Sequence, residues 1–350
     1  MRRLCRVAVQ PDSFSTSQPD SFSTMNESHY EEVAAGIYCI ETGLYRPGLA
    51  ACYLVRAGDR LAFVETGSAR SVPRMLAVVS ALGLTPEAVD YVIPTHVHLD
   101  HAGGAGNLMA RCPNARLVIH PKGADHMIDP SRLVAGATAV YGEEEFTRHF
   151  DTLTPIPAER VIVAEDSMVI ELDGRPLTFI DTPGHANHHG CIFDEHTRGW
   201  FVGDTFGIAY AELHTPGGPF LFAPTTPVAF DPDAWQKSLD RLMDLDPKAV
   251  YLTHYGRLDD PQALEDELRR NIRDFTELAL AEEDKEQAGR SKRLQEGVAE
   301  QLITRAGHQG CALDSHRIRE VLAVDIALNA QGLEVWLARR ARQAAEQAAT

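Results

Sequence analysis

The sequence predicts an α/β sandwich, two sheets covered by helices, followed by a helical appendage. Three observations predict it. Short β-rich runs closed by Gly and by Gly58-Asp59 come first, from Gly36 to Gly67. Strand-like runs then alternate with helical patterns as far as His254. Beyond about residue 260 the texture changes to amphipathic helices. The chain has 350 residues, 44% apolar and 24% charged, enough for one large domain or two smaller ones around a real core.

Taken in order, "GIYCIE", "AACYLVRA" and "RLAFVETG" read as successive strands. Residues 69–83 read as a helix ending near Gly83. "VDYVIPTH" is a strand, "GAGNLMARC" a helix and "ARLVIH" a strand. A second set follows in "SMVIEL", "PLTFIDTPGH", "GCIFDE" and "GWFVGD", then a helix at about 232–244 and the strand "AVYLTH". Further on, Leu264, Leu268, Ile272, Phe275 and Leu278 share one helical stripe. Residues 284–298 are charged and expected to be exposed, and "HRIREVLAVDIALN" and "LEVWLARRARQAAEQAA" read as two more helices.

The expected organisation is therefore a polar segment over 1–28, a catalytic domain over 29–260 and a helical region over 261–350. The first repeats "PDSFST", cannot bury enough to fold, and contains Met25 as a candidate start. The last serves either packing and homodimerisation or as a lid.

Bulk features exclude some functions. A net charge of −17 speaks against nucleic acid as a partner. No apolar run approaches the ~20 residues of a membrane span. Six cysteines without a C-x-x-C pair read as reduced thiols, which places the protein in the cytoplasm. A small-molecule substrate is the expected partner.

The stretch "PTHVHLDHAGG" carries the chemistry. His96 and His98 are two apart, so an extended loop points them the same way, and Asp100 and His101 require a turn. Four ligand types this close are hard to wrap round one tetrahedral ion, and two ions sharing the loop is the easier solution. Gly103 and Gly104 let the backbone approach closely and start the next helix. His185, Asp204 and His254 each follow a run that reads as buried strand, where a polar tip is held rigidly at the sheet edge.

"HVHLDH" resembles the H-x-H-x-D-H signature of the metallo-β-lactamase superfamily, and "TPGH", "VGD" and "LTH" resemble its later ligand motifs. The resemblance covers roughly 33–257 and implies an αββα sandwich with a dinuclear site on one edge of the sheets. It implies one ion on His96, His98 and His185, a second on Asp100, His101 and His254, and Asp204 bridging them. It implies also that Glu65, which stands where many relatives carry Asp, supports the ligand loop without binding metal. Five imidazoles and two carboxylates suit two Zn²⁺ ions first, and also Fe, Mn or Co. The di-iron relatives tend to carry Glu at the position of His98, so the resemblance favours a hydrolase.

The expected reaction is attack of a metal-bridging hydroxide on an activated carbonyl, with Asp100 as the catalytic proton shuttle. A thioesterase ranks first, on acyl-CoA or glutathione thioesters, and a lactonase or esterase close behind. A β-lactamase proper and a phosphodiesterase rank lower. A di-iron oxygen-binding or redox protein of the same fold is the alternative. The loop over 205–230 either walls an apolar pocket with Phe206, Tyr210, Phe220 and Phe222 or packs beneath the C-terminal helices. The resemblance suggests Tyr210 for polarising a carbonyl. His188 and His189 are candidate substrate or supporting contacts.

Overall fold

The structure is a computed structural model and describes residues 30–225 and 229–348. The expectation for 1–28 lies outside the described residues. The first sheet holds seven strands in chain order, β1 (Tyr30–Ala34), β2 (Ile37–Glu41), β3 (Ala51–Ala57), β4 (Arg60–Val64), β5 (Val89–Ile93), β6 (Arg116–Ile119) and β7 (Val161–Val163). It is antiparallel from β1 to β4 and parallel from β4 to β7. Helix α1 (Val72–Ala81) connects β4 to β5, and α2 (Leu99–Ala102) and α3 (Ala105–Arg111) lie between β5 and β6. Helices α4 (Pro121–Ile128), α5 (Ser131–Tyr141) and α6 (Glu143–His149) lie between β6 and β7.

The second sheet has six strands in the order β13-β12-β11-β10-β9-β8. These are β8 (Met168–Leu172), β9 (Arg175–Asp181), β10 (Gly190–Asp194), β11 (Gly199–Gly203), β12 (Ala249–Leu252) and β13 (Gly256–Asp259), with α7 (Pro232–Met243) between β11 and β12. The chain ends in α8 (Pro261–Leu280), α9 (Arg290–His308), α10 (Ser315–Val321) and α11 (Ala323–Ala348).

Strand alternation explains the layering. On β3, Ala51, Tyr53 and Val55 face the second sheet, where they meet Phe179, Phe201 and Tyr251. Their neighbours Cys52 and Leu54 face α1 and α3, with Met75, Val79 and Leu108. Both faces are covered, which is why β3 and β4 read as nearly continuous apolar runs. The second sheet repeats the pattern, with Phe201 inward and Trp200 and Val202 outward.

That outer face is covered by α7 and by the C-terminal helices. Trp200, Val250, Trp235, Leu268, Phe275, Leu302 and Leu333 belong to one apolar cluster. In α8 the stripe buries Leu268, Ile272 and Phe275, with Leu264 and Leu278 partly covered. Two expectations need correction. The charged stretch 284–298 is exposed only in part, because α9 starts at Arg290 and sinks Leu294 and Val298 into the core. The last two predicted helices are divided differently: the break falls at Leu322, and α11 runs unbroken through residues 323–348. Helices α10 and α11 meet there at a 69° bend, which turns Ile318, Leu322, Ile326 and Leu333 into one core. No local helix breaker marks that bend. Helices α4 to α6 and strand β7 lie in the stretch 121–166, which the sequence reading left without elements.

The five described cysteines are all free, and four of them are buried. Among the described residues, no single helix is long and apolar enough to cross a membrane.

Candidate metal centre

The sheet topology brings the ligand candidates to one edge. Strands β4 and β5 are parallel, so Glu65 and the loop starting at Pro94 leave the first sheet on the same side. In the second sheet β9 and β11 are each antiparallel to β10, and β12 is parallel to β11. The chain ends of β9, β11 and β12 therefore share an edge, and they deliver His185, Asp204 and His254.

There the side chains form two clusters of metal-ligand geometry, His96, His98, His185 and Asp204 in one, Asp100, His101 and His254 in the other. In the first, His98 Nδ1 lies 2.8 Å from His96 Nε2 and 3.2 Å from His185 Nε2. In the second, His254 Nε2 lies 3.1 Å from Asp100 Oδ2. Asp204 spans both, with Oδ2 3.2 Å from His185 Nε2 and Oδ1 3.4 Å from His101 Nε2.

The outer nitrogens are tied down. His185 Nδ1 donates to the Pro224 carbonyl at 2.8 Å and His254 Nδ1 to the Leu49 carbonyl at 2.7 Å. His101 Nδ1 meets Glu65 Oε1 at 2.9 Å. The Thr95 hydroxyl donates to Glu65 Oε1 at 2.6 Å and so accepts from His96 Nδ1 at 3.0 Å. In these four imidazoles the outer contact puts a proton on Nδ1 and turns Nε2 toward the cluster, as a lone pair in His96 and His185 and against the carboxylates in His101 and His254. His98 is reversed, with Nδ1 inward. At most one of its two short nitrogen contacts can be a hydrogen bond. In addition, His101 Nε2 and Asp204 Oδ1 are sealed from solvent without a hydrogen bond. Converging lone pairs and orphaned buried atoms are what a bound cation satisfies and internal hydrogen bonds do not.

Glu65 organises the loop, as the resemblance implied. It is buried in the left-handed region at φ 65° and accepts from the Thr95 amide, the Thr95 and Thr253 hydroxyls and His101. Behind the ligands, His189 stacks on His96 at 4.8 Å and accepts from the Asp204 amide at 3.3 Å. A Cβ on Gly203 would lie 2.3 Å from Thr95 Oγ1 and 2.6 Å from His189 Nε2, so "VGD" needs its glycine. Gly104 likewise lets its helix start against the Thr66 and Ser68 carbonyls, 2.8 and 2.7 Å from where a Cβ would sit.

The two clusters differ in charge. Burial, then the neighbouring imidazoles, push His96 and His98 well below the usual histidine range. Burial also lowers His185, against the pull of Asp204. Burial opposes a charge on His101 too, but Asp100, Glu65 and Asp204 together outweigh it and hold that imidazole high. His254 is raised in the same way: burial works against it, and the bond to Asp100 and the charge of Asp204 prevail. Burial would raise Asp100 and Asp204, yet the facing imidazoles keep both carboxyls low.

The predicted substrate contacts are scattered. Phe206, Phe220 and Phe222 have no exposed surface and belong to the cluster under the C-terminal helices, which is the packing alternative for that loop. Their aromatic bulk fills the space between the second sheet and α8 and α9, so it offers no wall to a ligand. His189 is buried behind the ligands rather than facing a substrate. His188 stays at the rim, its ring 5.7 Å from His98 and its Nδ1 without a hydrogen bond, and burial together with His185 lowers it to about 4. Tyr210 lies beside the second cluster, its ring 6.4 Å from that of His254. Its hydroxyl donates to Asp325 Oδ1 at 3.1 Å, and the Arg46 guanidinium sits 4.8 Å over its ring. Burial raises Asp325 to about 6, with His254, the Tyr210 bond and Arg46 pulling it back.

The sequence reading missed Thr95, Thr253, Arg46 and Asp325. The two threonines had a signal, since each directly precedes a ligand histidine in "PTH" and "LTH". Nothing local marks Asp325.

A model of the metallo-β-lactamase superfamily matches residues 45–254. The chain belongs to this superfamily. The match stops at the last ligand histidine and leaves α8 to α11 outside it. Among curated relatives, the metallo-β-lactamase fold-containing protein ST1585 of Sulfurisphaera tokodaii is 26% identical over 68% of this chain and 84% of its own length. The acyl-coenzyme A thioesterase MBLAC2 of Gallus gallus is 27% identical over 50% of this chain and 64% of its own. The N-acyl homoserine lactonase AttM of Azorhizobium caulinodans is 32% identical over 33% of this chain, and the matched part is 39% of that enzyme. The crystal structure of ST1585 superposes with a TM-score of 0.60 at 21% identity, covering 86% of this chain and 99% of the other. The metallo-β-lactamase family protein TTHA1429 of Thermus thermophilus gives 0.59 at 19%, covering 87% and 94%.

Proposed function

We propose that this metallo-β-lactamase superfamily member is a dinuclear metal-dependent hydrolase of thioesters, with lactones and other activated esters as the next class, and that Zn²⁺ is its metal. The observation that carries the reading is the convergence of five imidazoles and two carboxylates in two clusters, with Asp204 in the first and its Oδ1 3.4 Å from His101 Nε2 of the second. Relatives named as an acyl-coenzyme A thioesterase and an N-acyl homoserine lactonase support the substrate class.

Bound at such clusters, a pair of divalent ions supplies water ionised at neutral pH and a Lewis acid for a carbonyl oxygen. The protein's own groups do the rest. Through the outer contacts described above, His96 and His185 turn proton-free inner nitrogens to the cluster, whereas His101 and His254 would release, as metal binds, the protons that the carboxylates hold on them. Asp204, with a side chain only 6% exposed, keeps the two clusters in register. Asp100 is the more open carboxylate at 30% exposure, placed to take a proton from the attacking water and return it to the leaving group. An activated carbonyl needs no covalent step on Ser or Cys, and burial pushes the Cys191 thiol up to about 12, away from the thiolate a nucleophile needs.

The test is elemental analysis of freshly purified protein, followed by acyl-thioester, lactone and phosphodiester substrates with and without chelator. Two equivalents of metal and chelator-sensitive thioester or lactone turnover are expected. A protein that binds metal yet leaves every thioester and lactone intact, or that is coloured by iron and turns over oxygen instead, ends this reading.

A further inference from the structure

We propose that Asp325 is a positioning residue that holds Tyr210 against the second ligand cluster, so that helix α11 completes the active site from outside the superfamily match.

Three contacts fix Tyr210. Its neighbour Ala209 donates its backbone N–H to the His254 carbonyl at 2.5 Å, which ties the segment to a ligand residue. Arg46 covers the ring face, and its own Nη1 is anchored to Glu212 Oε1 at 2.6 Å. The hydroxyl ends on Asp325 at 3.1 Å. The edge-on packing of Tyr210 and His254, at 84° between rings, leaves the phenol beside the second cluster.

The choice of partner is informative. A buried tyrosine needs one hydrogen-bond acceptor, and a backbone carbonyl serves at little cost. Here the acceptor is a carboxylate, whose desolvation is expensive. It is also carried to the site from the far end of the chain, on a helix that the bend at Leu322 aims inward. An ionised carboxylate accepts only, so Tyr210 gives its hydroxyl hydrogen to Asp325. The phenol oxygen, buried beside the second cluster, then keeps its lone pairs as acceptors. With its hydrogen committed to Asp325, the phenol would act as an acceptor, toward a water or a substrate N–H.

The experiment places 3-fluorotyrosine at Tyr210 in the full-length protein and records its ¹⁹F resonance in the metal-free, Zn²⁺-loaded and Co²⁺-loaded forms. The wild type should show one sharp resonance with a paramagnetic shift in Co²⁺. Asp325→Leu should move the metal-free resonance toward that of a free tyrosine and shrink the Co²⁺ shift, and Asp325→Asn, which keeps the acceptor, should restore both. Where Asp325→Leu fails to fold, Asp325→Ala carries the same comparison. A resonance indifferent to Asp325→Leu or Asp325→Ala overturns the proposal. Kinetics supply a second readout: Asp325→Leu and Tyr210→Phe should each lower kcat/KM about tenfold, the scale of one hydrogen bond, and together no further. Multiplying losses would also overturn it. The activity readout rests on the proposed hydrolase function, whereas the resonance does not, so absence of turnover with an intact ¹⁹F response would end that function alone.

Discussion

The two ligand clusters lie side by side but solve opposite problems. His96, His98 and His185 face mainly one another, and burial with mutual repulsion keeps them neutral. His101 and His254 face Asp100 and Asp204, and the carboxylates hold protons on them. The first cluster thus offers lone pairs to a cation, whereas in the second the imidazoles lie against carboxylates. The difference teaches where protons compete with metal. Filling the second cluster must displace protons, while filling the first displaces almost none.

Asp204 is where the comparison breaks most completely, because its two oxygens serve different clusters. Asp204→Ala should lower metal affinity at both and cut activity by more than the about 10–100-fold typical of losing an outer partner. Elemental analysis and kcat measure it. Loss of only one equivalent of metal would show that the clusters are independent.

Acid should separate the clusters next. The imidazoles of the second are held above the usual histidine value, so protons compete there first as pH falls. Dialysis at stepwise lower pH should release one equivalent of metal before the other, followed by elemental analysis; simultaneous release would contradict the assignment. The chelated protein adds a sign of its own. His96, His98 and His185 are depressed, so their contribution to stability is present above the unfolded value near 6.5 and is lost as pH falls below it. His101 and His254 are raised, and their contribution is present below that value and lost as pH rises through their folded values. Thermal melts of chelated protein against pH check both limbs.

Glu65→Gln sharpens the comparison, since Glu65 touches His101 directly and His96 only through Thr95. Affinity at the second cluster should fall about 10–100-fold, and at the first by less. Thr253→Val removes one of the bonds that Glu65 accepts. It should cost about 1 kcal/mol, or about fivefold in affinity of the second cluster, with no measurable effect on the first. Metal titration calorimetry reads both substitutions.

Much of this was legible in the chain itself. "PTHVHLDHAGG" spells out four ligands and the glycine that lets the next helix start against the 66–68 turn. His185, Asp204 and His254 stand out because each follows an apolar run that can only be a buried strand. These signals are local, and an apolar run with a polar tip needs no knowledge of distant contacts. The aromatic loop after Asp204 was not legible, because Phe220 has the same composition whether it lines a pocket or fills a core. The difference was made by α8 and α9 arriving from the end of the chain to cover it.

By itself, then, the sequence determined which side chains offer lone pairs and which strands carry them, since spacing and alternation are properties of neighbours along the chain. Tertiary structure decided which carboxylate faces which imidazole, and hence the charge of each cluster. It also put Asp325 on Tyr210 and buried His189 behind His96. Electrostatics and packing depend on distance in space, and residues 210 and 325 become neighbours only when α11 folds back over the second sheet.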